Sequence, residues 1–245
     1  MREIFQPYAV RCLALQGLRG AFDSPIAYVS LFVFYGLTGY FFTLPLFLVG
    51  QASIKGLTDL VPLLMSFLIP AMTMGLISEE LKSGTFESLA TLPLEDADIV
   101  VGKYLGFALG HTITCAGLIF FPLALGVLTQ QPFALDWGET AGVLLSLFFL
   151  GQAFGAIGLF ASSLSRSQVV AFIAGFLFCF VLYAAGKVSQ FAPGGLGVML
   201  EFIGIDTHVD TLAKGVFDLR DILYFMSLIG FFLYMTTQRL AARRF

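Results

Sequence analysis

The sequence predicts an all-α polytopic membrane protein, and three observations carry that prediction. Hydrophobic residues fill 58% of the 245 positions, while Asp, Glu, Lys and Arg together fill 12%; mean hydropathy is +0.91. A soluble domain carries roughly twice that charged share, about 25%, and could not hide so much apolar surface in one core. The apolar residues also gather into six stretches, roughly 26–49, 60–77, 104–128, 142–161, 169–185 and 222–237, none of which holds Asp, Glu, Lys or Arg. Each approaches the ~17–25 residues that cross a hydrocarbon core as a helix. The last two are short, and are expected to begin a little earlier or to tilt less. Finally, the remaining charges all lie between these stretches, where the chain meets water.

An even number of spans puts both termini on one side, and basic residues decide which side that is. With the termini inside, Arg2, Arg11, Arg19, Lys82, Lys103, Arg166, Arg239, Arg243 and Arg244 fall in inner segments. Lys55, Lys187, Lys214 and Arg220 fall in outer ones. Nine against four predicts cytoplasmic termini. The N-terminus does not read as a signal peptide, because Arg2, Glu3, Arg11, Arg19 and Asp23 leave no apolar run before Pro25. A net charge of −3 offers no basic field for nucleic acid. Cys12, Cys115 and Cys179 are odd in number and widely spaced in apolar surroundings. That suits packing rather than a disulfide framework or a metal site.

Positions 7–22 read as an amphipathic helix before the first span. Tyr8, Cys12, Leu15, Leu18 and Phe22 recur at helical spacing, with Arg11, Gln16 and Arg19 elsewhere on the wheel. Pro7 suits a first turn. Such a helix (within 1–25) is expected to lie in the membrane interface, with Arg11 and Arg19 near anionic headgroups; the alternative is a helix packed on the rest of the protein. Ser24-Pro25 then opens the first span. Positions 50–59 form a short outer loop, and the second span returns through Pro62 and Pro70, which are expected to kink it. The third span runs outward to a loop at 129–140 around Trp137. The fourth ends at "SSLSRSQ" (162–168), a tight inner turn, and the fifth leads to the longest outer segment, 186–221.

That outer segment predicts short helices. "FAPGGLG" (191–197) reads as a turn and 198–203 as a short apolar piece. Thr207 with Asp210 resembles a capping box for a helix over 208–215, and Asp218 and Asp221 suit the start of the sixth span. These helices are expected to dip into the membrane edge. They form either a lid over a pathway, with Pro193, Gly194, Gly195, Asp218, Arg220 and Asp221 as outer-gate candidates, or a structured connector.

The inner segment 78–103 stands out, because Glu79, Glu80, Glu87, Glu95, Asp96 and Asp98 there face only Lys82 and Lys103. Glu79 and Glu80 continue the second span out of the membrane, and Gly84 breaks that helix. Thr85 caps a new helix with Glu87 in its first turn. Pro93 stops it after about two turns. Phe86, Leu89 and Ala90 share one face by their i, i+3, i+4 spacing. Glu95, Asp96 and Asp98 load the first turn of the returning helix. A two-turn helix is marginal alone in water, so this one is expected to fill a partner's groove; the plainer alternative is an ordinary acidic loop.

The run "ISEELKSGTFESLATLPLEDADIVVGKYLG" resembles the inner loop of type-2 ATP-binding-cassette (ABC) transporter permeases. The matching residues are Glu79, Glu80, Gly84, Thr85, Glu87, Leu89, Pro93, Gly102 and Lys103. "FDSPIAY" (22–28) resembles the junction of interfacial helix and first span. "HVDTLAKGVFDLRDILYF" (208–225) and the terminal Arg243, Arg244, Phe245 resemble the gliding-motility-associated subgroup. The resemblance implies a single transmembrane permease domain over 1–245, in a bacterial inner membrane, with 78–103 as a cytoplasmic coupling-helix loop. Its coupling residues would be Glu79, Glu80, Gly84, Thr85, Phe86, Glu87, Leu89 and Pro93. It also implies a dimer with a second permease subunit, identical or different, and a separate ABC ATPase subunit that holds ATP and Mg. This chain would bind no cofactor itself: Gly102-Lys103 and Gly186-Lys187 are followed by Tyr and Val, so neither continues as a Walker A loop.

Two other classes compete. A secondary transporter or channel places ionisable groups in the bilayer, and here only His111 qualifies, with Gln152 as a neutral polar neighbour. An intramembrane enzyme needs paired Asp, a metal set or an activated Ser; the spans hold no Asp, and His111 and His208 lie in different regions. A third reading keeps the ATPase but passes force to an extracytoplasmic partner. The 28 phenylalanines suit lipid-facing packing or a pathway for an amphiphilic cargo.

Overall fold

The computed structural model describes residues 7–23, 25–48, 56–86, 94–128, 136–189, 191–192, 194–215 and 218–243. Every regular element among the described residues is a helix, as backbone buried in hydrocarbon requires unless a barrel closes. In order they are α1 (Pro7–Asp23), α2 (Pro25–Leu48), α3 (Gly56–Thr73), α4 (Gly75–Ser83), α5 (Asp96–Gly117) and α6 (Phe120–Leu128). They continue with α7 (Trp137–Leu164), α8 (Gln168–Ser189), α9 (Gly195–Ile203), α10 (Ile205–Ala213) and α11 (Leu219–Ala241).

Among the described residues, five stretches are long and apolar enough to cross a membrane: Leu57–Ser83, Asp96–Gly126, Trp137–Leu164, Gln168–Ser189 and Leu219–Ala241. The first expected span coincides with α2, in which Ala27–Thr43 is the apolar stretch among the described residues. Two helices run past their apolar stretches, as expected: the second span's helix continues to Ser83 before Gly84, and the third begins at Asp96. Hydropathy finds the part of a helix that lies in hydrocarbon, whereas the helix continues as long as its backbone bonds do. α3 contains both Pro62 and Pro70 and is interrupted at Met74, whose N–H donates to the Pro70 carbonyl at 2.9 Å.

α7 is the hub, packing against α3, α5, α8, α10 and α11. Leu147, Leu150, Phe154, Ile157 and Leu159 on it are completely buried. Its glycines set how near the neighbours come: a Cβ on Gly151 would run into His111, on Gly155 into Phe107, and on Gly158 into Thr73. Close approach through small residues is the usual basis of helix association in lipid.

α1 forms over nearly the expected residues. Tyr8, Cys12, Leu15 and Phe22 are exposed, leaving the expected interfacial stripe open, with Arg11 and Arg19 also exposed. A second face packs on the rest of the protein, as the alternative reading had it. Val10 and Ala14 are buried against α5, where a Cβ on Gly102 would meet Leu13 and one on Gly106 would meet the Ala14 carbonyl. Gly102, Gly106 and Gly110 recur every four residues, a spacing that signals such a contact.

The outer segment contains two short helices, as expected, but the capping box at Thr207 and Asp210 does not form. α10 starts at Ile205 with Gly204 as its N-cap, and the Thr207 hydroxyl donates to the carbonyls of Glu201 (2.9 Å) and Gly204 (3.0 Å). The start is set by crowding: the Gly204 and Gly186 backbones touch, a contact open only to residues without a Cβ.

Candidate functional site

The acidic inner segment turns at an elbow around Gly84. α4 leads into it and ends at Gly84, which has φ +76° and forms the left-handed cap that glycine adopts without a Cβ clash. The Ser83 hydroxyl donates to the Glu79 carbonyl at 2.9 Å and lies 2.8 Å from the Thr85 hydroxyl. Helical backbone resumes at Thr85 and Phe86. Glu87, Leu89, Ala90 and Pro93 lie outside the described residues. On the return, the Glu95 N–H donates to Asp98 Oδ2 at 3.3 Å, closing the first turn of α5.

The candidate coupling residues divide into two groups. Glu79, Gly84 and Thr85 are exposed on the elbow, whereas Phe86 is only 6% exposed and belongs to the chain's own core. Glu80 turns inward as well. Its Oε1 accepts from Lys103 Nζ at 2.6 Å, and the same ammonium donates to the Leu76 carbonyl at 2.8 Å. Lys103, on α5, thus holds both the side chain and the backbone of α4. Charge-assisted bonds of this kind are short and strong for their class.

One turn deeper, the chain is interrupted at Met74. A helix that starts there has orphan N–H groups in its first turn, and a methionine offers no side-chain oxygen to accept them. Ser162 of α7 supplies it. Its hydroxyl oxygen accepts from the N–H groups of Ile77 and Ser78, each at 3.0 Å, and donates to the Met74 carbonyl at 2.7 Å. A helix cap is thus delivered by a residue more than eighty positions away.

The outer-gate candidates do not converge on one site. Gly194 has φ +67° before α9, Gly195 is exposed, and Pro193 lies outside the described residues. Asp218 caps α11 by accepting from the Arg220 N–H at 3.0 Å, and the Arg220 guanidinium stands 5.6 Å from the Phe202 ring centre. Asp221 is buried, with Oδ1 2.6 Å from His208 Nδ1, and His208 stacks on Tyr224 at 3.9 Å. A second buried carboxylate, Asp206, takes Lys187 at 2.8 Å. Burial holds the Asp206 pKa above its ordinary 3.8, with Asp210 and Asp59 acting the same way and Lys187 opposing. These pairs fasten α10 to α8 and to α11.

Inside the bundle, His111 Nε2 lies 3.1 Å from Cys115 Sγ, between the rings of Phe107 and Phe148. Gln152 donates to the Ala108 carbonyl and accepts from the Tyr104 hydroxyl, each at 3.3 Å. Gln152 therefore bonds between α7 and α5, while the Cys115 partner of His111 lies on its own helix. Among the described residues no group of three or more His, Cys, Asp or Glu could hold a metal ion.

Residues 40–237 match the model of a family described as ABC-2 family transporter protein. No curated protein matches the chain.

Proposed function

The chain belongs to the ABC-2 transporter family, and on that premise we propose that its acidic elbow takes up motion from an ABC ATPase subunit and passes it to the bilayer helices. A multi-pass membrane protein of this family is the permease component of an ABC transporter, and membership implies an ATPase partner. The rest of the reading is finer. Six spans with cytoplasmic termini sit in a bacterial inner membrane, two permease subunits pair, and ATP and Mg are held by the partner. The work is type-2 export. The gliding-motility-associated branch is proposed on residues 208–225 and 243–245.

The observation that carries the proposal is the bracing of the elbow. Lys103 ties α4 to α5 just above the exposed Glu79, Gly84 and Thr85, so a push on the elbow moves two helices together. Above the brace, the interruption at Met74 gives α4 a place to pivot, and Ser162 keeps its polar groups partnered there. A second reading, transmission of force to an extracytoplasmic partner, draws on α9, which exposes Leu196, Val198, Met199 and Phe202.

Reconstitution with the co-encoded ATPase tests the assignment. The purified chain alone is expected to hydrolyse no ATP, and the complex to do so in step with transport. Glu79→Lys with Glu87→Lys should uncouple or release the ATPase. Full coupled activity in that double variant would remove the elbow from the mechanism.

A further inference from the structure

α8 and α11 both pack on α7 but scarcely touch each other, leaving a trough whose floor is α7. Phe160 stands in it, its ring 6.1 Å from that of Phe178 on α8 and 5.6 Å from that of Phe232 on α11. Phe178 stays 42% exposed beside it. At the elbow end of the trough α7 stops, and three guanidinium groups gather. Arg243 Nη2 donates to the carbonyls of Ser163 (3.0 Å) and Leu164 (3.1 Å), satisfying the last turn of α7. Arg239 is exposed one helical turn earlier on α11, and Arg166 is exposed two residues beyond Leu164. Burial, with the like charges of Arg239 and Arg166, lowers the Arg243 pKa from its ordinary value. Among the described residues no ion pair joins any of the three to a carboxylate.

Three mutually repelling cations beside an apolar trough lack one component, a counter-charge attached to something that prefers hydrocarbon. We infer that this corner binds an anionic phospholipid, its headgroup phosphate on Arg166, Arg239 and Arg243 and one acyl chain along Phe160. Guanidinium groups match phosphate oxygens in geometry as well as charge. Basic pockets at the membrane surface between transmembrane helices recognise anionic headgroups in this way. A free phosphate would make no use of the trough, and a zwitterionic lipid would leave the cluster without net compensation. The inference needs only that α7, α8 and α11 cross the membrane. It is independent of the coupling role of the elbow.

The test compares dioleoylphosphatidylglycerol, dioleoylphosphatidylcholine and inorganic phosphate on the purified full chain, read by native mass spectrometry and thermal midpoint. Phosphatidylglycerol should be retained and should raise the midpoint, while phosphatidylcholine and phosphate should do neither. Arg166→Gln with Arg239→Gln should weaken phosphatidylglycerol binding about 30-fold, from two lost cation–lipid contacts. Its midpoint in phosphatidylcholine should stay put, because Arg243 still caps α7. Equal retention of the two lipids, or undiminished binding by the double variant, would overturn the inference. Protection by phosphate alone would assign the corner to a free anion. A double variant that keeps phosphatidylglycerol but loses the ATPase would assign the arginines to the partner, and either result removes the lipid.

Discussion

At the scale of single residues, Ser162 and Asp206 each support a group that would otherwise be stranded. Ser162→Ala takes the side-chain acceptor from the Ile77 and Ser78 N–H groups at the Met74 interruption, while the Met74 carbonyl keeps the Ser78 hydroxyl, and should cost about 1–3 kcal/mol of stability. Ser163→Ala is the control, since that hydroxyl bonds only the Phe160 carbonyl of its own helix. Thermal unfolding in one detergent should rank the Ser162 variant clearly lower. Asp206 supplies the pH dependence. Its folded pKa is raised above 3.8, chiefly by burial, so the folded state binds that proton more tightly than the unfolded state does. Stability from this proton is present below the ordinary value and is lost as pH rises from 3.8 through the raised one. The wild type should therefore lose stability relative to Asp206→Asn as pH climbs through that window. A constant difference between the two midpoints would contradict the shift.

At the scale of elements, what sequence reveals depends on how far apart the interacting residues lie. The helix over 7–22, the break at Gly84, the acidic first turn of α5 and the short outer helices were all legible, because each rests on neighbours a turn or less apart. Ser162 read only as a turn residue, since its partners are 84 to 88 positions away. Helical spacing likewise put Phe86 on an apolar face without saying which way that face turns, and it turns into the core. Thr207 and Asp210 matched a capping pattern locally, but the Gly186–Gly204 contact starts the helix earlier. Lys103 matched a motif, yet its bond to Glu80 appears only once α4 and α5 lie side by side. That pairing makes its own prediction. Lys103→Met should cost about 1.5–3 kcal/mol, as loss of a hydrogen bond to a charged group does, and should lower coupled ATPase activity while leaving the ATPase bound. Exchanging the charges, Glu80→Lys with Lys103→Glu, should recover part of the activity but not the bond to the Leu76 carbonyl. No recovery would mean that the ion pair does not set the elbow's angle.

At the scale of the whole molecule, α7 links the two ends of the bundle. One half carries α10, and the end near the elbow supplies Ser162 to α4 and takes Arg243 from just beyond α11. A displacement of the elbow therefore has a packed route toward the opposite face. The chain's own thiols suit a direct test of where that displacement enters: Cys115 and Cys179 are buried and only Cys12 is exposed, so Cys12→Ser leaves a quiet background for Thr85→Cys. The decisive measurement is the labelling rate of that cysteine by an impermeant maleimide in inverted inner-membrane vesicles, with and without the ATPase subunit. The account predicts ready labelling that slows when the ATPase binds. Labelling only from the opposite face, or a rate that the ATPase leaves unchanged, would contradict it.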